Sequence, residues 1–243
     1  MKRAIFVAPF GALSEPRVVA ELARETEQAG FDGFFVWDHV AYRDPVRLLA
    51  DPWVCLSAAA MVTSRVLLGP LVTPLPRRRI HQLARETVSV DRLSGGRLVL
   101  GVGIGSERTG EFDPARFGEE GDMRERARLL DDGLEQLTRY WDGEFEPRPV
   151  HGRIPVWVGG RWPRRRPLER AARWQGYFPV ETQSPADVRA MRAQLGHELP
   201  IIVTNPPEVD PAPWFEAGAT WCLTGFGADP SPDAVRRAIA AGP

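Results

Sequence analysis

The sequence predicts an α/β fold, a single (β/α)8 TIM barrel. Three observations support it: short apolar runs alternate with helical patterns eight times, 243 residues is the usual size of one such barrel, and no repeat or linker divides the chain. Right-handed crossovers between successive strands would make the sheet parallel and let it close. We therefore expect one domain over residues 1–243, with a doubly wound open sheet as the alternative.

The strands are predicted where β-branched and aromatic residues form short runs bounded by glycine, proline or polar residues. In chain order they are residues 4–8, 34–37, 66–73, 98–105, 156–158, 176–178, 200–204 and 220–224. The third run contains Pro70, which cannot donate a ladder hydrogen bond and favours a local distortion of the strand.

The helices are predicted from apolar residues at helical spacing and from glycine stop signals such as Gly30. In chain order they are residues 16–29, 53–63, 78–93, 123–141, 163–174, 185–195, 213–217 and 231–241. The longest break in the alternation is residues 106–122, which are rich in glycine and charge. Loops of this length in compact domains are usually functional or disordered.

Composition excludes several classes of protein. A net charge of −1 gives no global field for nucleic acid or an acidic membrane. Lys2 is the only lysine, which excludes an internal Schiff-base lysine and with it pyridoxal phosphate chemistry. Cys55 and Cys222 lie in separate apolar segments, so we expect buried thiols. No signal peptide or membrane span is evident, and we expect a soluble cytoplasmic protein.

A barrel places its active site just past the carboxyl ends of the strands. We expect the strand-end residues Trp37, Val72, Ile104 and Val158 at this mouth. His39 is the one histidine at a strand end, which makes it a candidate general acid or base. The other three, His81, His151 and His197, lie on helix or loop patterns. No second histidine or carboxylate cluster accompanies His39, so no metal site is predicted.

Residues 153–167 read as a strand, a turn at Gly159 and Gly160, and a helix that begins at Pro163. The segment carries four arginines, Arg161, Arg164, Arg165 and Arg166. Unpaired N–H groups at a helix N-terminus together with these cations would suit an anion such as phosphate. An exposed, solvated arginine-rich loop is the alternative.

Six short motifs occur in order along nearly the whole chain. They are AGFDGFFVWDH at 29–39, LGPLVTP at 68–74, DRLSGGRL at 91–98, GVGIG at 101–105, EF at 111–112 followed by FG at 117–118, and IPVWVGG at 154–160. In these motifs the chain resembles the bacterial luciferase-like family of flavin-dependent oxidoreductases. The resemblance implies a TIM barrel and a reduced FMN, or the deazaflavin coenzyme F420, at its mouth. The expected activity is hydride transfer or monooxygenation on a small molecule.

The resemblance also assigns residues. His39 matches a histidine that faces the ring, and Glu107 matches a glutamate that deazaflavin enzymes use after the fourth strand. The Leu71–Val72 peptide matches a non-proline cis bond behind the ring. The implied cofactor-binding residues are Asp38, Leu71, Val72, Thr73, Gly105, Ser106, Gly159, Gly160, Arg161, Trp162, Arg164, Arg165 and Arg166.

Three departures from the family pattern matter. Ile104 stands where the luciferases have a phosphate-binding arginine, so phosphate binding would pass to Gly159, Gly160 and the arginine run. Arg43 stands where some deazaflavin enzymes carry an aromatic residue. The chain is also shorter than most members, which implies shortened loops around the substrate.

The presence of both His39 and Glu107 favours F420 over FMN. Two other functions stay open: a cofactor-free barrel enzyme acting on a phosphorylated metabolite, and a non-catalytic partner subunit of a luciferase-like pair. Surplus apolar residues at 53–61 and 78–93 predict a homodimer.

Overall fold

Every pairing between strands of the barrel is parallel. The apolar runs identified in the sequence form these strands. The computed structural model describes residues 1–243. Its strands are β1 Lys2–Val7, β2 Gly33–Val36, β3 Leu67–Pro70, β4 Thr73–Pro74, β5 Leu100–Gly103, β6 Val156–Arg161, β7 Gly176–Val180, β8 Ile202–Asn205 and β9 Trp221–Gly225. They form two sheets, ordered β3-β2-β1-β9-β8 and β4-β5-β6-β7.

Both seams between the two sheets are closed by parallel bridges. Leu68 pairs with Leu98 at one seam, and Tyr177 pairs with Ile201 at the other. Backbone hydrogen bonds cross each seam, from the Val99 N–H to the Leu68 carbonyl and from the Tyr177 N–H to the Pro200 carbonyl. The sheet therefore closes on itself, which confirms the predicted barrel and removes the open sheet as an alternative.

Each predicted helix is present, with ends shifted by a few residues. The helices are α1 Pro16–Gln28, α2 Pro52–Val62, α3 Ile80–Leu93, α4 Pro114–Phe117, α5 Met123–Arg139, α6 Arg165–Ala171, α7 Pro185–Leu195, α8 Ala212–Glu216 and α9 Pro232–Ala240. The short α4 is an addition inside the 106–122 loop. None of the helices combines the length and the apolar character needed to cross a membrane.

The core has two layers because alternate strand residues point to opposite faces of the sheet. In β1, Ala4 and Phe6 point into the barrel, while Ile5 and Val7 pack outward against the helices. The interior cluster is Ala4, Phe6, Phe35, Leu71, Val99, Trp157, Phe178, Ile202, Trp221 and Leu223. The barrel is therefore filled by side chains, and a ligand can bind only at its mouth.

The third predicted strand, residues 66–73, is divided between the two sheets. Its first part, β3, ends at Pro70 and pairs with β2, and its second part, β4, pairs with β5. The Leu71–Val72 peptide between them is cis, as predicted. Pro70 thus marks the distortion that its missing N–H implied.

The segment around residues 153–167 differs from its prediction. Gly159, Gly160 and Arg161 continue β6 and pair with β7, so the glycines form no turn. The helix begins at Arg165 instead of Pro163, because the backbone of Arg164 is extended. Gly160 is required by packing, since a Cβ there would lie 2.2 Å from the Pro167 Cβ.

Three of the four strand-end residues lie where the barrel predicted them. Trp37 follows β2, Val72 lies between β3 and β4, and Ile104 follows β5. Val158 sits deeper, in register with Val102, because β6 continues three residues further. Cys55 and Cys222 are buried thiols as predicted, and burial raises the pKa of Cys55 to about 12 and that of Cys222 to about 11.

Candidate active site

His39 follows β2 at the barrel mouth and is paired with a buried glutamate from the 106–122 loop. Its Nδ1 lies 2.6 Å from Oε2 of Glu111. The carboxylate is fully buried and also accepts hydrogen bonds from the Val40 N–H at 2.8 Å and the Thr109 hydroxyl at 2.9 Å. Glu111 belongs to one of the family motifs, but nothing in the sequence indicated a role for it.

The ionisation of Glu111 fixes the tautomer of His39. Burial opposes ionisation, but His39, Arg77 and the Val40 N–H together hold the pKa of Glu111 below its usual value. An ionised carboxylate can only accept, so Nδ1 of His39 carries the hydrogen in this pair. Nε2 has no hydrogen-bond partner in the protein.

Asp38 precedes His39 and forms a buried ion cluster with two arginines. Arg77 donates to Oδ1 at 2.6 Å, Arg78 donates to Oδ2 at 2.8 Å, and the Thr73 hydroxyl donates to Oδ2 at 2.7 Å. Burial opposes the charge of Asp38, yet Arg78, Arg77 and Thr73 hold the pKa of this carboxyl below its usual value. Arg77 also lies 3.5 Å from Oε1 of Glu111, which joins the two carboxylates in one network.

Aromatic rings enclose His39 on the β1 and β2 side of the mouth. The ring centroids of Phe10, Trp37 and Tyr42 lie 5.9, 5.8 and 5.3 Å from that of His39. Arg43, where some relatives carry an aromatic residue, stacks 5.6 Å above Tyr42. Tyr42 therefore supplies an aromatic ring next to the histidine, one position earlier than the resemblance implied.

Val72 forms an apolar platform in the mouth. A Cβ on Gly103 would lie 2.8 Å from Val72 Cγ2, and one on Gly159 would lie 2.7 Å from Val72 Cγ1. The two glycines thus leave the space that the Val72 side chain occupies, and Val72 is half-buried with part of its surface facing out. A planar ring could pack on an apolar surface of this kind.

The remaining predicted cofactor residues near β2 to β4 are buried. Asp38, Leu71 and Thr73 are 1%, 4% and 0% exposed. The Asp38 and Thr73 side chains bond to each other, and that of Leu71 packs in the barrel interior. Any contact of these three with a cofactor would therefore be through their backbone.

Three predicted site residues, Gly105, Ser106 and Glu107, lie at the start of the 106–122 loop or directly before it. Gly105 has a φ of 77°, and a Cβ there would lie 1.9 Å from the Phe112 ring, so glycine is required on both counts. Glu107 is 59% exposed and accepts a hydrogen bond from Arg126 at 3.0 Å. It has no bond to His39, so the structure brings a different carboxylate, Glu111, to the histidine.

The arginine run lies on the surface. Arg165 pairs with Glu169 at 2.6 Å, and Arg161 lies 3.7 Å from Glu181. Arg164 contacts the Met123 sulfur at 3.3 Å. Arg164, Arg165 and Arg166 are exposed, whereas Trp162 is half-buried. Since α6 has only seven residues and its N-cap makes no side-chain bond, the run does not form an enclosed anion seat.

Comparison with known proteins agrees with this geometry. The profile of the luciferase-like monooxygenase family matches residues 2–199. This chain belongs to that family. An uncharacterised protein of Mycobacterium tuberculosis is 29% identical over 256 residues, covering 85% of this chain and 86% of the relative.

Two further comparisons carry functional names. An F420-dependent glucose-6-phosphate dehydrogenase of Nakamurella multipartita is 32% identical over 170 residues, covering 61% of this chain and 48% of the relative. The solved structure of an F420-dependent secondary alcohol dehydrogenase with an F420–acetone adduct superimposes with a TM-score of 0.79 at 15% identity, covering 100% of this chain and 98% of that one.

Membership of the luciferase-like family confirms the predicted class of protein. The chain is a luciferase-like oxidoreductase of the type that uses a flavin or the deazaflavin F420. The half-buried Val72 follows β3 and His39 follows β2, so both lie at the barrel mouth, where the ring of such a cofactor could bind. His39, Val72 and the backbone of Gly105 and Gly159 are the groups that could hold it.

We expect Asp38→Asn to destabilise the fold strongly. The change leaves Arg78 without its buried counter-ion and Arg77 with Glu111 alone, and breaking a buried pair costs about 3–5 kcal/mol. Asp44→Asn is the matched control, because its pair with Arg47 is exposed on both sides. Urea denaturation at pH 7 measures both. Equal unfolding free energies for the two variants would contradict the structural role of Asp38.

The pH dependence of this effect has a defined sign. Because the pKa of Asp38 is lowered in the folded state, its contribution to stability is complete above the ordinary value of 3.8. It is lost as the pH falls through the folded-state pKa. The difference between wild type and Asp38→Asn should therefore shrink only in strong acid.

Proposed function

We propose that the chain binds reduced F420 at the barrel mouth, with the ring on the Val72 platform, and catalyses hydride transfer with a small-molecule substrate. The observation that carries the proposal is the pairing of His39 with the buried Glu111 at the barrel mouth. Glu111 occupies Nδ1 of His39, and Nε2 has no protein partner.

The protein's own contribution is to position one proton. When bound, the reduced cofactor supplies the hydride. Glu111 holds the His39 ring through Nδ1, and the Asp38 cluster fixes the backbone from which His39 projects. His39 donates or accepts the proton at Nε2 that accompanies hydride transfer, while Phe10, Trp37 and Tyr42 keep bulk water from the ring.

Two observations favour F420 over FMN. A dehydrogenase that is 32% identical over 170 residues is named as F420-dependent, and His39 and Glu107 occur together in the chain. FMN-dependent monooxygenation is the second candidate, because the family profile is that of a monooxygenase.

Two functions outside redox chemistry, both open from the sequence alone, are disfavoured. A barrel enzyme acting on a phosphorylated metabolite would use the same histidine without a coloured cofactor. A non-catalytic partner subunit would need neither His39 nor a cofactor. Family membership and the His39–Glu111 pair both weigh against these two, and cofactor binding separates them from the proposed function.

We expect the purified protein to bind F420 at least about tenfold more tightly than FMN, a difference of about 1.4 kcal/mol. Quenching of cofactor fluorescence on titration measures both affinities. Tighter binding of FMN, with oxygen-dependent oxidation of the reduced flavin, would replace the proposal by the second candidate. Binding of neither would contradict both.

We expect His39→Ala to slow single-turnover oxidation of the reduced cofactor by about 10²–10⁴-fold, the usual effect of a positioned acid or base. Its cofactor affinity should stay within a few-fold of wild type. Glu111→Gln keeps the ring but removes the ionised acceptor, so we expect a smaller loss of roughly 10–10²-fold.

Glu120→Gln is the control for these variants, since Glu120 is an exposed carboxylate in the same loop. It should turn over at the wild-type rate. Unchanged kinetics in a folded His39→Ala protein would remove His39 from the mechanism. A full rate in Glu111→Gln would show that the buried carboxylate only stabilises the fold.

We also propose that the cytoplasmic form is a homodimer that pairs through the outer face of α2. Val54, Met61 and Val62 are 54%, 68% and 43% exposed on this helix, which is more apolar surface than a solvated helix needs. The expected contribution of α3 is smaller, because only Leu93 among its large apolar residues is exposed.

We expect light scattering at micromolar concentration to give twice the 27.0 kDa mass of the chain. Met61→Glu should shift the particle to the monomer, because a charge would be buried in the interface. Val209→Glu places the same charge on a different exposed apolar residue and should leave the mass unchanged. A monomeric wild type would contradict the dimer.

A further inference from the structure

The hydroxyl of Thr109 has one hydrogen and two acceptors within reach. Thr109 ends the short turn 107–109 and is 8% exposed. Its Oγ1 lies 2.8 Å from the carbonyl oxygen of Ser106 and 2.9 Å from Oε2 of Glu111. Because a hydroxyl donates only one hydrogen, Thr109 bonds to one of these oxygens and leaves the other. Its choice sets how many donors the carboxylate of Glu111 receives.

The oxygen of Glu111 that Thr109 reaches is the one bonded to His39. Oε2 accepts from Nδ1 of His39 at 2.6 Å and from the Thr109 hydroxyl. Oε1 accepts from the Val40 N–H at 2.8 Å and lies 3.5 Å from Arg77. A donor to a carboxylate stabilises its negative charge. The Thr109 hydroxyl therefore acts on the same atom that orients the histidine ring.

The strength of the bond between Thr109 and Glu111 depends on the charge of His39. With a neutral ring, the His39–Glu111 pair carries a net negative charge. With a protonated ring, the adjacent cation neutralises the carboxylate. Hydrogen bonds to an uncompensated charge are the stronger ones, so Thr109 stabilises the neutral ring more than the protonated ring. When the ring is protonated, the Ser106 carbonyl competes better for the hydroxyl.

Several other charged or titratable groups surround the His39–Glu111 pair. They are Arg77 and Arg78 after β4, Asp38, Tyr42 and Arg43 after β2, and Glu119 in the 106–122 loop. Burial raises the pKa of Glu119, which lies close enough to Arg77 and Glu111 for both charges to act on it. None of these side chains bonds to Thr109. Removal of the Thr109 hydroxyl therefore removes one donor and leaves every charge in place.

We propose that Thr109 is a positioning residue that makes His39 release its Nε2 proton more readily. Its hydroxyl donates to Glu111 while the ring is neutral and turns to the Ser106 carbonyl when the ring is protonated. The effect on turnover rests on the proposed function. The effect on the His39 ring is a property of the protein without a cofactor, so the two can be tested separately.

The first test follows protonation of His39 by ¹⁵N NMR of the cofactor-free protein as the pH is varied. Thr109→Val replaces the hydroxyl by a methyl group and should move the midpoint of ring protonation up by about 0.5–1 pH unit, because the neutral ring loses a donor. Thr109→Ser retains the hydroxyl and should keep the wild-type midpoint. An unmoved midpoint in a folded Thr109→Val protein would overturn the proposal.

Thr182→Val is the matched control. The Thr182 hydroxyl also donates to a carbonyl three residues back, that of Pro179 at 2.9 Å, but it contacts no carboxylate. This variant should leave the His39 midpoint unchanged. An equal shift in Thr182→Val and Thr109→Val would overturn the proposal, because loss of any such hydroxyl would then have the same effect.

A double-mutant cycle tests whether Thr109 acts through Glu111. Thr109→Val added to Glu111→Gln should cause no further shift of the His39 midpoint, since the ionised acceptor is already absent. A shift of the same size in the wild-type and Glu111→Gln backgrounds would show that the hydroxyl acts without Glu111, and would overturn the proposal.

The last test measures turnover. In Thr109→Val, the pH–rate profile of single-turnover cofactor oxidation should move to higher pH by the same 0.5–1 unit, with cofactor affinity within a few-fold of wild type. A shifted ring midpoint in a protein that oxidises no reduced cofactor would support the role of Thr109 and contradict the proposed function. A pH–rate profile that does not move, in an active Thr109→Val protein, would overturn the role of Thr109 in turnover.

Discussion

The active-site mouth depends on a buried network of two carboxylates and two arginines. Asp38 binds Arg77 and Arg78, and Arg77 also lies 3.5 Å from Glu111, so the two negative charges are matched by two positive ones. Each charge in such a network is costly to bury alone and tolerable only with its partners. The network therefore fixes the end of β2, the turn after β4 and the middle of the 106–122 loop relative to one another. His39 follows Asp38 in the sequence and its Nδ1 bonds to Oε2 of Glu111. The network therefore orients the His39 ring.

The 106–122 loop, predicted only as functional or disordered, is tied to the barrel at three points. Glu111 bonds to His39, Phe112 fills the space above Gly105, and Glu107 is held by Arg126. Through these contacts the loop folds back on the strand ends and lines the barrel mouth. The two glutamates differ in place: Glu111 is buried and bonds to the histidine, whereas Glu107 is exposed and bonds to Arg126.

Much of the fold could be predicted from the sequence because alternating strand and helix patterns are typical of a barrel. The residues that follow each strand then predict which side chains lie at its mouth. His39 was found in this way. Glu111 was not, since it is 72 residues from His39 and lies in a loop without periodicity. Sequence spacing could not decide whether Glu107 or Glu111 meets the histidine. Gly159 and Gly160 suggested a turn, but both lie within the continuous strand β6. Gly159 leaves space for Val72, and Gly160 leaves space for Pro167.

The central claim is that an ionised Glu111 holds His39 with its hydrogen on Nδ1. The most direct test is ¹⁵N NMR of histidine-labelled protein, with the His39 resonances assigned by comparison with His39→Gln. At a pH where the ring is neutral, the account predicts a protonated Nδ1 and an unprotonated Nε2, and loss of this preference in Glu111→Gln. A His39 ring that carries its hydrogen on Nε2, or that exchanges freely between both tautomers in the wild type, would contradict the account.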